Sequence, residues 1–371
     1  MARGDARTRR QVAGKRRVGG LPFHRRHRRA LVTVFSVCAL VLAVVTGYAY
    51  WLNSQLGNVE RVDTDAIKNR PDPDEGKSLN ILLLGSDEGE PQSGQSKDTT
   101  VAEDATAAKW PSGKYRSDTM MIAHISADRR SVHLVSIPRD TYTTIHDEQG
   151  DATNEQKINA AFSAYGPNGA IATVEQLTGL RMAHVAIIDW DGFRDLSSAV
   201  GGVPVTIPRA FYDPQQKIQW DAGDQELQGQ EALDYVRTRY GLEGGDFDRI
   251  ARQQNFLRSL MQKMLDRGTT SNPVKLTRTL SAVTKNLTVD DDWDPRDMRA
   301  LALSLRDTTA DDVSFLTAPV ATTEDVPGIG NVVRLDEAKA EELFTALRDD
   351  DVGAYLRKYP DEELAAEDEI S

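Results

Sequence analysis

Three stretches of sequence decide the fold: LNILLLGSD at residues 79–87, RSDTMMIAHI at 116–125 and VHLVSIPRD at 132–140. Each contains a short apolar run bounded by glycine, proline or charged residues, which is the pattern of a buried β-strand. The polar stretch 127–130, between the second and third runs, has the length of a tight turn. We therefore predict an antiparallel meander of three strands.

Polar residues flank these strands at positions that such a meander brings to one edge of the sheet. The first strand ends at Asp87, the second begins after Asp118, and the third ends before Arg139. Mg²⁺ is a hard cation that takes oxygen ligands from carboxylates, phosphates and water. Asp87 and Asp118 are therefore the predicted metal ligands, for Mg²⁺ or alternatively Mn²⁺. For either aspartate alone, a role in a turn or cap is the simpler interpretation.

The rest of the chain alternates between strand and helix patterns. Apolar runs at 185–188 and 313–316 predict two more strands. Helical periodicity predicts helices within 230–236, 247–265, 275–287, 296–306 and 336–348. This mixture predicts an α/β domain, residues 77–348, with a mixed central sheet flanked by helices in αβα layers.

Two segments have the composition of surface structure. Residues 88–115, inside the domain, and 349–371, at its C-terminal side, are rich in charged and small polar residues. Such segments usually lie outside a packed core. We predict a polar insertion loop at 88–115 and an acidic C-terminal tail at 349–371.

Charge is distributed unevenly along the chain. The formal net charge is −12, but the first 30 residues contain eleven Arg or Lys and one acidic residue, so the remainder carries −22. Residues 30–52 contain no formally charged side chain and are long enough to cross a hydrocarbon core of ~30 Å as a helix. We predict a basic cytoplasmic tail (1–29), a transmembrane helix (30–52) and an extracytoplasmic linker (53–76).

The basic block directly before the apolar stretch sets the predicted orientation. The positive-inside rule places the N-terminus in the cytoplasm and the folded domain outside the plasma membrane. A cleaved signal peptide is the alternative, but its apolar region is only ~7–15 residues long. The aromatic residues Tyr48, Tyr50 and Trp51 instead mark a membrane interface. The only cysteine, Cys38, lies within the apolar stretch, so the outer domain has no thiol chemistry.

A second polar cluster begins at the end of the predicted helix 230–236. Arg237 and Arg239 follow this helix, and Arg249 and Gln253 share one face of the next helix. Guanidinium groups bind phosphate oxygens bidentately and neutralise the charge that grows as a phosphate leaves. Solvated surface arginines are the alternative interpretation. Their concentration in an otherwise acidic domain favours a phosphate site.

The order and content of these motifs resemble the LytR-CpsA-Psr (LCP) family of bacterial cell-wall assembly. The resemblance rests on NILLLGSD (80–87), RSDTMM (116–121), SIPRDT (136–141), KINAAF (157–162), GGVPV (201–205), ALDYVRTR (232–239) and GDFDRIARQQ (245–254). It implies an extracytoplasmic phosphotransferase that moves a glycopolymer, such as a teichoic acid, from an undecaprenyl-diphosphate carrier to a peptidoglycan sugar hydroxyl. The product is a phosphodiester link.

The resemblance also implies roles for individual positions. Asp87 and Asp118 match magnesium-binding carboxylates, and Arg139, Arg237 and Arg239 match the arginines that hold the pyrophosphate. These five are the predicted catalytic residues. Further substrate-binding positions are matched by Arg116, Arg249 and Gln253.

The chain departs from the family pattern after its first aspartate. The family commonly has Ser or Thr and then Arg there, whereas this chain has Glu88 and Gly89, so one phosphate contact is expected to be missing. Asp246 and Asp248 lie between the arginine groups. We hypothesise that one of them positions or deprotonates the acceptor hydroxyl.

Other functions remain open on the sequence alone. A hydrolase that splits the polyprenyl diphosphate would use the same groups, and a non-catalytic membrane-anchored protein would only bind polyprenyl phosphate. A transcriptional attenuator is a third alternative, but membrane orientation explains the basic tail and the outer domain is acidic, so no nucleic-acid partner is expected. The expected partners are a polyprenyl-(di)phosphate-linked glycan, peptidoglycan and the membrane.

Overall fold

A computed structural model gives the fold of the unit that spans residues 53–371. The residues it describes are Ser54, Leu56 and Gly57, followed by 59–73, 76–88, 99–107, 109–238, 246–265 and 272–365. The predicted basic tail and transmembrane helix, residues 1–52, lie outside this set. Within the described ranges, no helix is both long and apolar enough to cross a membrane.

Fifteen strands and nine helices are named among the described residues. The strands are β1 (Glu60–Val62), β2 (Leu79–Glu88), β3 (Tyr115–Ile125), β4 (Val132–Ser136), β5 (Tyr142–His146), β6 (Ala152–Lys157), β7 (His184–Asp189), β8 (Val203–Ile207), β9 (Phe211–Asp213), β10 (Ile218–Trp220), β11 (Gly223–Leu227), β12 (Leu287–Asp290), β13 (Val313–Thr317), β14 (Val320–Val326) and β15 (Gly330–Leu335). The helices are α1 (Val101–Ala105), α2 (Asn159–Thr178), α3 (Trp190–Ala199), α4 (Gly229–Arg237), α5 (Asp246–Leu265), α6 (Pro273–Asn286), α7 (Pro295–Ser304), α8 (Glu337–Arg348) and α9 (Val352–Lys358). Every strand and helix predicted from the sequence is present, with shifted ends.

The central sheet is mixed, as predicted. Its strand order is β1-β12-β7-β2-β3-β4-β13. The meander β2-β3-β4 is antiparallel, while β7 pairs in parallel with β2 and β13 pairs in parallel with β4. The turn between β3 and β4 falls at the predicted position. This topology leaves the C-terminal ends of β2 and β4 beside the start of β3.

Helices cover both faces of the sheet because alternate strand residues enter two apolar cores. Leu82 of β2 belongs to the core that contains Phe162 of α2 and Leu343 of α8. Its neighbour Ile81 belongs to the opposite core, against which Leu257 of α5 packs. A further core joins α3, α4 and strands β8 to β11 to the same α5. The predicted αβα layering is therefore confirmed for the described residues.

The predicted linker and insertion loop contribute more to the fold than their composition suggested. Within the linker, 53–76, β1 pairs in parallel with β12, and Val62 is buried. Within the insertion, 88–115, α1 buries Val101, and Lys114 is fully buried with its Nζ 2.8 Å from Asp104 Oδ2. A buried ion pair holds this polar segment in place, and its partners cannot be identified from composition.

The prediction of an acidic tail at 349–371 is wrong over the part of this segment that the structure describes. Helix α9 lies within it, and Val352 and Tyr355 are buried in the core that contains Leu343. Leu364 N donates a hydrogen bond to Phe315 O at 2.8 Å. Apolar residues at helical spacing among the charges therefore outweigh the polar composition.

Candidate active site

The two predicted metal aspartates come together because the β2-β3 pair contains a bulge. The register shifts between Gly85 and Ser86, and Asp118 is the extra residue of β3. Asp87 lies opposite Arg116 in the pair beyond the bulge. Bulges redirect side chains and often occur beside functional sites. Both carboxylates thus sit at the edge predicted from the meander.

Each of these aspartates is ion-paired with an arginine from another element. Arg139, in the loop after β4, donates from Nη1 to Asp118 Oδ1 at 2.5 Å. Arg237, the last residue of α4, donates from Nη2 to Asp87 Oδ2 at 3.3 Å. Charge-assisted hydrogen bonds of this kind are stronger than neutral ones. The sheet edge, the loop after β4 and the end of α4 therefore meet at one point.

The pKa of the Asp87 carboxyl reflects its burial and the charges around it. Burial raises the pKa of the Asp87 carboxyl above its usual value, while Arg237 acts to lower the pKa. The negative charge of Asp118 raises the pKa of Asp87 as well. Two carboxylates that repel each other in this way are stabilised by a bound cation.

The loop that carries Arg139 is braced by the start of α2. The backbone N–H of Asn159 donates to Arg139 O at 3.2 Å. Lys157 Nζ lies 3.3 Å from Asp140 Oδ1. The motif KINAAF therefore supports the loop, and its first residue adds a charged group beside it.

Helix α5 connects the sheet edge to the end of α4. Gln253 accepts a hydrogen bond at Oε1 from Thr119 Oγ1 at 3.3 Å and donates from Nε2 to Val236 O at 3.2 Å. Arg249, one turn earlier on the same face, is only 2% exposed. The prediction that Arg249 and Gln253 share one helical face is confirmed.

A cavity of about 560 Å³ opens at this edge of the sheet. Predicted site residues that line it are Asp87, Arg116, Asp118, Arg139, Arg237, Arg249 and Gln253. The structure therefore gathers residues from distant parts of the sequence into one concave site. The lining combines carboxylates with several guanidinium groups, which suits a ligand that carries both phosphate and a divalent cation.

One predicted residue does not line this cavity, and the side chains of two others lie outside the described part of the structure. Asp248 lies on α5 but is not among the lining residues, and its charge instead acts on the buried guanidinium of Arg252. Arg239 lies outside the described residues, as does the side chain of Asp246, whose backbone begins α5. The hypothesis that Asp248 contacts the acceptor hydroxyl gains no support from the cavity.

Other residues line the cavity without having been predicted as site residues. They are Asp140, Lys157, Asn159, Trp190, Gln215, Gln216 and Asp234. The first three belong to motifs that the sequence singled out. Asp234 could have been found from its i, i+3 spacing to Arg237 on α4. Trp190, Gln215 and Gln216 carry no such signal, because tertiary packing alone brings them to the site.

The donor set fits a hard divalent cation that shares its coordination with a substrate. Mg²⁺ is usually held by one or two carboxylates, with phosphate oxygens and water completing its shell. Asp87 and Asp118 supply carboxylates of this kind, next to arginines that suit phosphate. Among the described residues, no group of three or more His, Cys, Asp or Glu side chains is arranged to hold a metal ion.

The chain is similar to proteins that are named for cell wall biosynthesis. The model of the LytR_cpsA_psr family matches residues 49–349. Among similar proteins, the cell wall biosynthesis protein LcpA of Corynebacterium glutamicum is 34% identical over 72% of this chain and 55% of its own length. The probable cell wall biosynthesis protein LcpB of the same organism is 33% identical over 86% of this chain and 72% of its own length.

A relative with a transferase name is more distant. TagV of Bacillus subtilis, a polyisoprenyl-teichoic acid–peptidoglycan teichoic acid transferase, is 26% identical over 70% of this chain and 63% of its own length. The chain thus spans between about half and three quarters of these relatives' lengths. The crystal structure of B. subtilis TagV superposes with a TM-score of 0.59 at 24% identity, covering 75% of this chain and 98% of that one. This likeness establishes a shared fold.

Proposed function

The chain belongs to the LytR_cpsA_psr family, and we propose that it transfers a glycopolymer from a polyprenyl-diphosphate carrier to a sugar hydroxyl of peptidoglycan. The observation that carries the proposal is the pairing of Asp118 with Arg139 and of Asp87 with Arg237 inside one cavity. LcpA and LcpB are named as cell wall biosynthesis proteins and TagV as a transferase onto peptidoglycan, which supports this class of reaction.

Asp87 and Asp118 would hold Mg²⁺, with Mn²⁺ as an alternative, through their carboxylate oxygens. When bound, such an ion neutralises phosphoryl oxygens and acts as a Lewis acid on them. The position of both carboxylates in the lining of one cavity, beside arginines that suit phosphate, supports this assignment.

The arginines of the cavity would hold the diphosphate. Arg139 and Arg237 now donate to aspartates, and phosphate oxygens can replace these carboxylates as acceptors for the same guanidinium groups. Arg116 and Arg249 add positive charge to the same lining. Fixed donors around the bond that breaks stabilise the charge that develops on the leaving phosphate.

The proposed reaction is a substitution at phosphorus. The acceptor hydroxyl oxygen forms a bond to the sugar-side phosphorus, and the bridging phosphorus–oxygen bond breaks. Polyprenyl phosphate leaves with the electron pair of that bond, and the hydroxyl proton passes to the leaving phosphate or to solvent. The product is a phosphodiester between the glycopolymer and peptidoglycan. Positioning and charge stabilisation are the main contributions that such a site makes.

The proposal includes a membrane location with the N-terminus in the cytoplasm and the folded unit outside. The uncharged stretch 30–52 and the basic block before it support this placement. A lipid-linked donor would then lie in the same membrane as the protein. Protease protection of the N-terminal tail in sealed right-side-out vesicles tests the orientation, and digestion of that tail from outside would contradict it.

The test of the proposed function compares site variants with matched surface variants. Purified full-length chain is mixed with a synthetic polyprenyl-diphosphate disaccharide and peptidoglycan fragments, with Mg²⁺ or with chelator. We expect Asp118→Asn and Arg139→Ala to lower transfer at least 100-fold, the scale seen on removing one transition-state donor. The exposed residues Asp361 and Arg357 provide the controls Asp361→Asn and Arg357→Ala.

The outcome separates the proposed function from its alternatives. Transfer that needs Mg²⁺ and disappears only in the site variants supports the transferase. Release of glycan phosphate with no linked product would indicate a hydrolase, because water would then have replaced the sugar hydroxyl. Full activity in folded Asp118→Asn protein would exclude the proposed site.

A further inference from the structure

One part of the cavity lining carries no positively charged side chain. It is formed by the tight turn between β9 and β10, which contributes Gln215 and Gln216, and by Asp234 on α4. The two amides are uncharged and Asp234 is acidic, so these side chains offer no positive charge to a phosphate. We call these three residues the amide wall.

The turn of the amide wall is held rigidly by a buried carboxylate. Asp213, at the end of β9, is 1% exposed, and its Oδ1 accepts from the backbone N–H of Gln215 at 2.8 Å and of Gln216 at 3.1 Å. Lys217 follows with a left-handed φ of 59°, which closes the hairpin. An aspartate that caps a turn in this way fixes its backbone. The glutamine backbones are therefore fixed before any ligand binds.

The Gln216 amide has its orientation fixed by three acceptors. Its Nε2 lies 3.1 Å from Asp213 Oδ2, from Asp234 O and from Thr238 Oγ1. A carboxylate and a backbone carbonyl can only accept, so the NH₂ end of the amide must point to them. The carbonyl end, Oε1, has no partner among the described residues and remains on a residue that lines the cavity. It can accept a hydrogen bond from a bound ligand.

Asp234 and Gln215 complete this set of groups. Asp234 Oδ1 accepts from Gln230 Nε2 at 2.7 Å, which positions the carboxylate, and Gln215 is exposed. Amide and carboxylate oxygens accept hydrogen bonds from hydroxyl groups, and the free amide N–H groups of Gln215 can donate to hydroxyl oxygens. Neutral polyhydroxyl ligands satisfy both, whereas an ionised diphosphate has no proton to donate to an acceptor such as Asp234.

We propose that the amide wall binds sugar hydroxyl groups next to the diphosphate site. The inference rests on the proposed function and deepens it, because it assigns Gln215, Gln216 and Asp234 to glycan recognition. Either of two sugars has this chemistry: the sugar attached to the diphosphate, or the sugar whose hydroxyl is the acceptor. Helix α4 connects the amide wall to the phosphate site, because Asp234 lies one turn before Arg237 on this helix.

The test measures three dissociation constants on the full chain in detergent with Mg²⁺ present. The probes are geranyl diphosphate, geranyl diphosphate linked to N-acetylglucosamine, and a β-1,4-linked N-acetylglucosamine tetrasaccharide. The variants are Gln215→Ala and Gln216→Ala. Gln219→Ala is the control, because Gln219 belongs to the same hairpin and, among the described residues, its side chain donates only to Trp220 O. Gln216→Ala also removes bonds that anchor the turn, so Gln215→Ala keeps the test independent of folding.

The expected result is a selective loss of sugar binding. Both variants should weaken binding of one sugar-bearing probe by about three- to tenfold, the scale of one or two hydrogen bonds, while geranyl diphosphate binding changes less than about twofold. Loss only with the linked sugar assigns the wall to the donor, and loss only with the tetrasaccharide assigns it to the acceptor. The inference is overturned if the variants bind geranyl diphosphate and the sugar-bearing probes equally more weakly. It is also overturned if they bind every probe as tightly as the wild type.

The same experiment distinguishes this inference from the proposed function. If wild-type protein does not bind geranyl diphosphate, the proposed diphosphate site is wrong, and binding of the two sugar-bearing probes by wild type and variants still decides the amide wall. Wild-type protein could instead bind geranyl diphosphate, gain no affinity from a linked sugar and fail to bind the tetrasaccharide. In that case only the sugar-binding role of the amide wall is wrong.

Discussion

Asp118 is held by Arg139 at 2.5 Å, so a metal ion and this guanidinium group compete for the same carboxylate. Removing the guanidinium group removes the cation that competes with the metal ion for this carboxylate. We therefore expect Arg139→Ala to bind Mn²⁺ about tenfold more tightly in the absence of phosphate, the scale of one charge-assisted hydrogen bond. The same variant should bind geranyl diphosphate more weakly. Electron paramagnetic resonance and calorimetry measure the two effects.

Opposite changes in the two affinities are specific to this model of the site. A purely structural role for Arg139 would weaken both ligands together. The exposed Arg357 provides the control Arg357→Ala, which should change neither affinity. Unchanged or weaker Mn²⁺ binding by folded Arg139→Ala would contradict the assignment of Asp118 as a metal ligand.

Gly85 allows the bulge that places Asp118. A β-carbon at this position would lie 3.0 Å from Thr119 Cβ and 3.3 Å from Thr119 Oγ1, in the middle of the central sheet. Overpacking of this kind costs about 1–3 kcal/mol, and we expect Gly85→Ala to lose free energy of unfolding on this scale in urea. At Gly76 the nearest atoms would be 3.8 Å away, so Gly76→Ala is the control. Equal stability of both variants would contradict the close strand approach.

His133 makes the stability of the fold depend on pH. The pKa of His133 is lowered to about 4, mainly by burial and to a smaller extent by His124, while Asp350 acts in the opposite direction. Because the folded pKa lies below the unfolded value of about 6.5, protons bind preferentially to the unfolded chain between these two pH values. We expect the free energy of unfolding to fall by about 2 kcal/mol from pH 7 to pH 5 through this residue.

Urea denaturation at pH 7 and pH 5 checks this expectation. The His133→Gln variant lacks the titrating group, so its loss of stability between the two pH values should be about 2 kcal/mol smaller than that of the wild type. Equal losses would show that His133 becomes protonated in the folded state at little cost.

At the level of elements, a strong hydrophobic pattern was sufficient to predict a strand or a helix, and a weak pattern was not. The meander strands and α5 have apolar runs or helical spacing, and all were predicted correctly. Helix α2 was not predicted, because it is rich in Ala and Gly and is interrupted at Gly166, whose φ is 69°, before Pro167. Strands β5 and β6 form a hairpin of mostly polar residues whose burial does not alternate, although Ile145 of β5 is buried. Pairing with a neighbour, and not local pattern, determines such elements.

In the insertion between β2 and β3, the closest ion-pair partner of the buried Lys114 is Asp104. Lys114 Nζ is fully buried and lies 2.8 Å from Asp104 Oδ2, and Glu88 is more distant at 3.4 Å. Breaking a buried pair by neutralising one partner leaves an uncompensated charge, so we expect Asp104→Asn to lose about 3 kcal/mol of unfolding free energy.

Limited proteolysis and chemical denaturation measure this effect together. Cleavage within the insertion should become faster in Asp104→Asn, whereas Asp72→Asn, at an exposed position, should behave like the wild type. If Asp104→Asn is as stable and as resistant as the wild type, Lys114 does not depend on Asp104.

On the scale of the whole molecule, motif order identified the family and pointed to most of the charged residues that line the cavity. Asp87, Asp118, Arg139 and Arg237 were found because each follows or precedes a recognisable strand or helix. The amide wall was not found, because a hairpin from a separate core reaches the cavity only in the folded chain. The sequence therefore predicted the phosphate chemistry, while the residues proposed for sugar recognition required the structure.

The mass of the product formed by the full chain decides whether the protein is a transferase. The reaction contains Mg²⁺, a geranyl-diphosphate-linked disaccharide and a peptidoglycan tetrasaccharide in ¹⁸O-labelled water. We predict a product that joins the disaccharide to the tetrasaccharide through one phosphate without ¹⁸O, together with one equivalent of geranyl phosphate. Disaccharide phosphate that carries ¹⁸O, with no joined product, would instead show that water is the acceptor and that the protein is not a transferase.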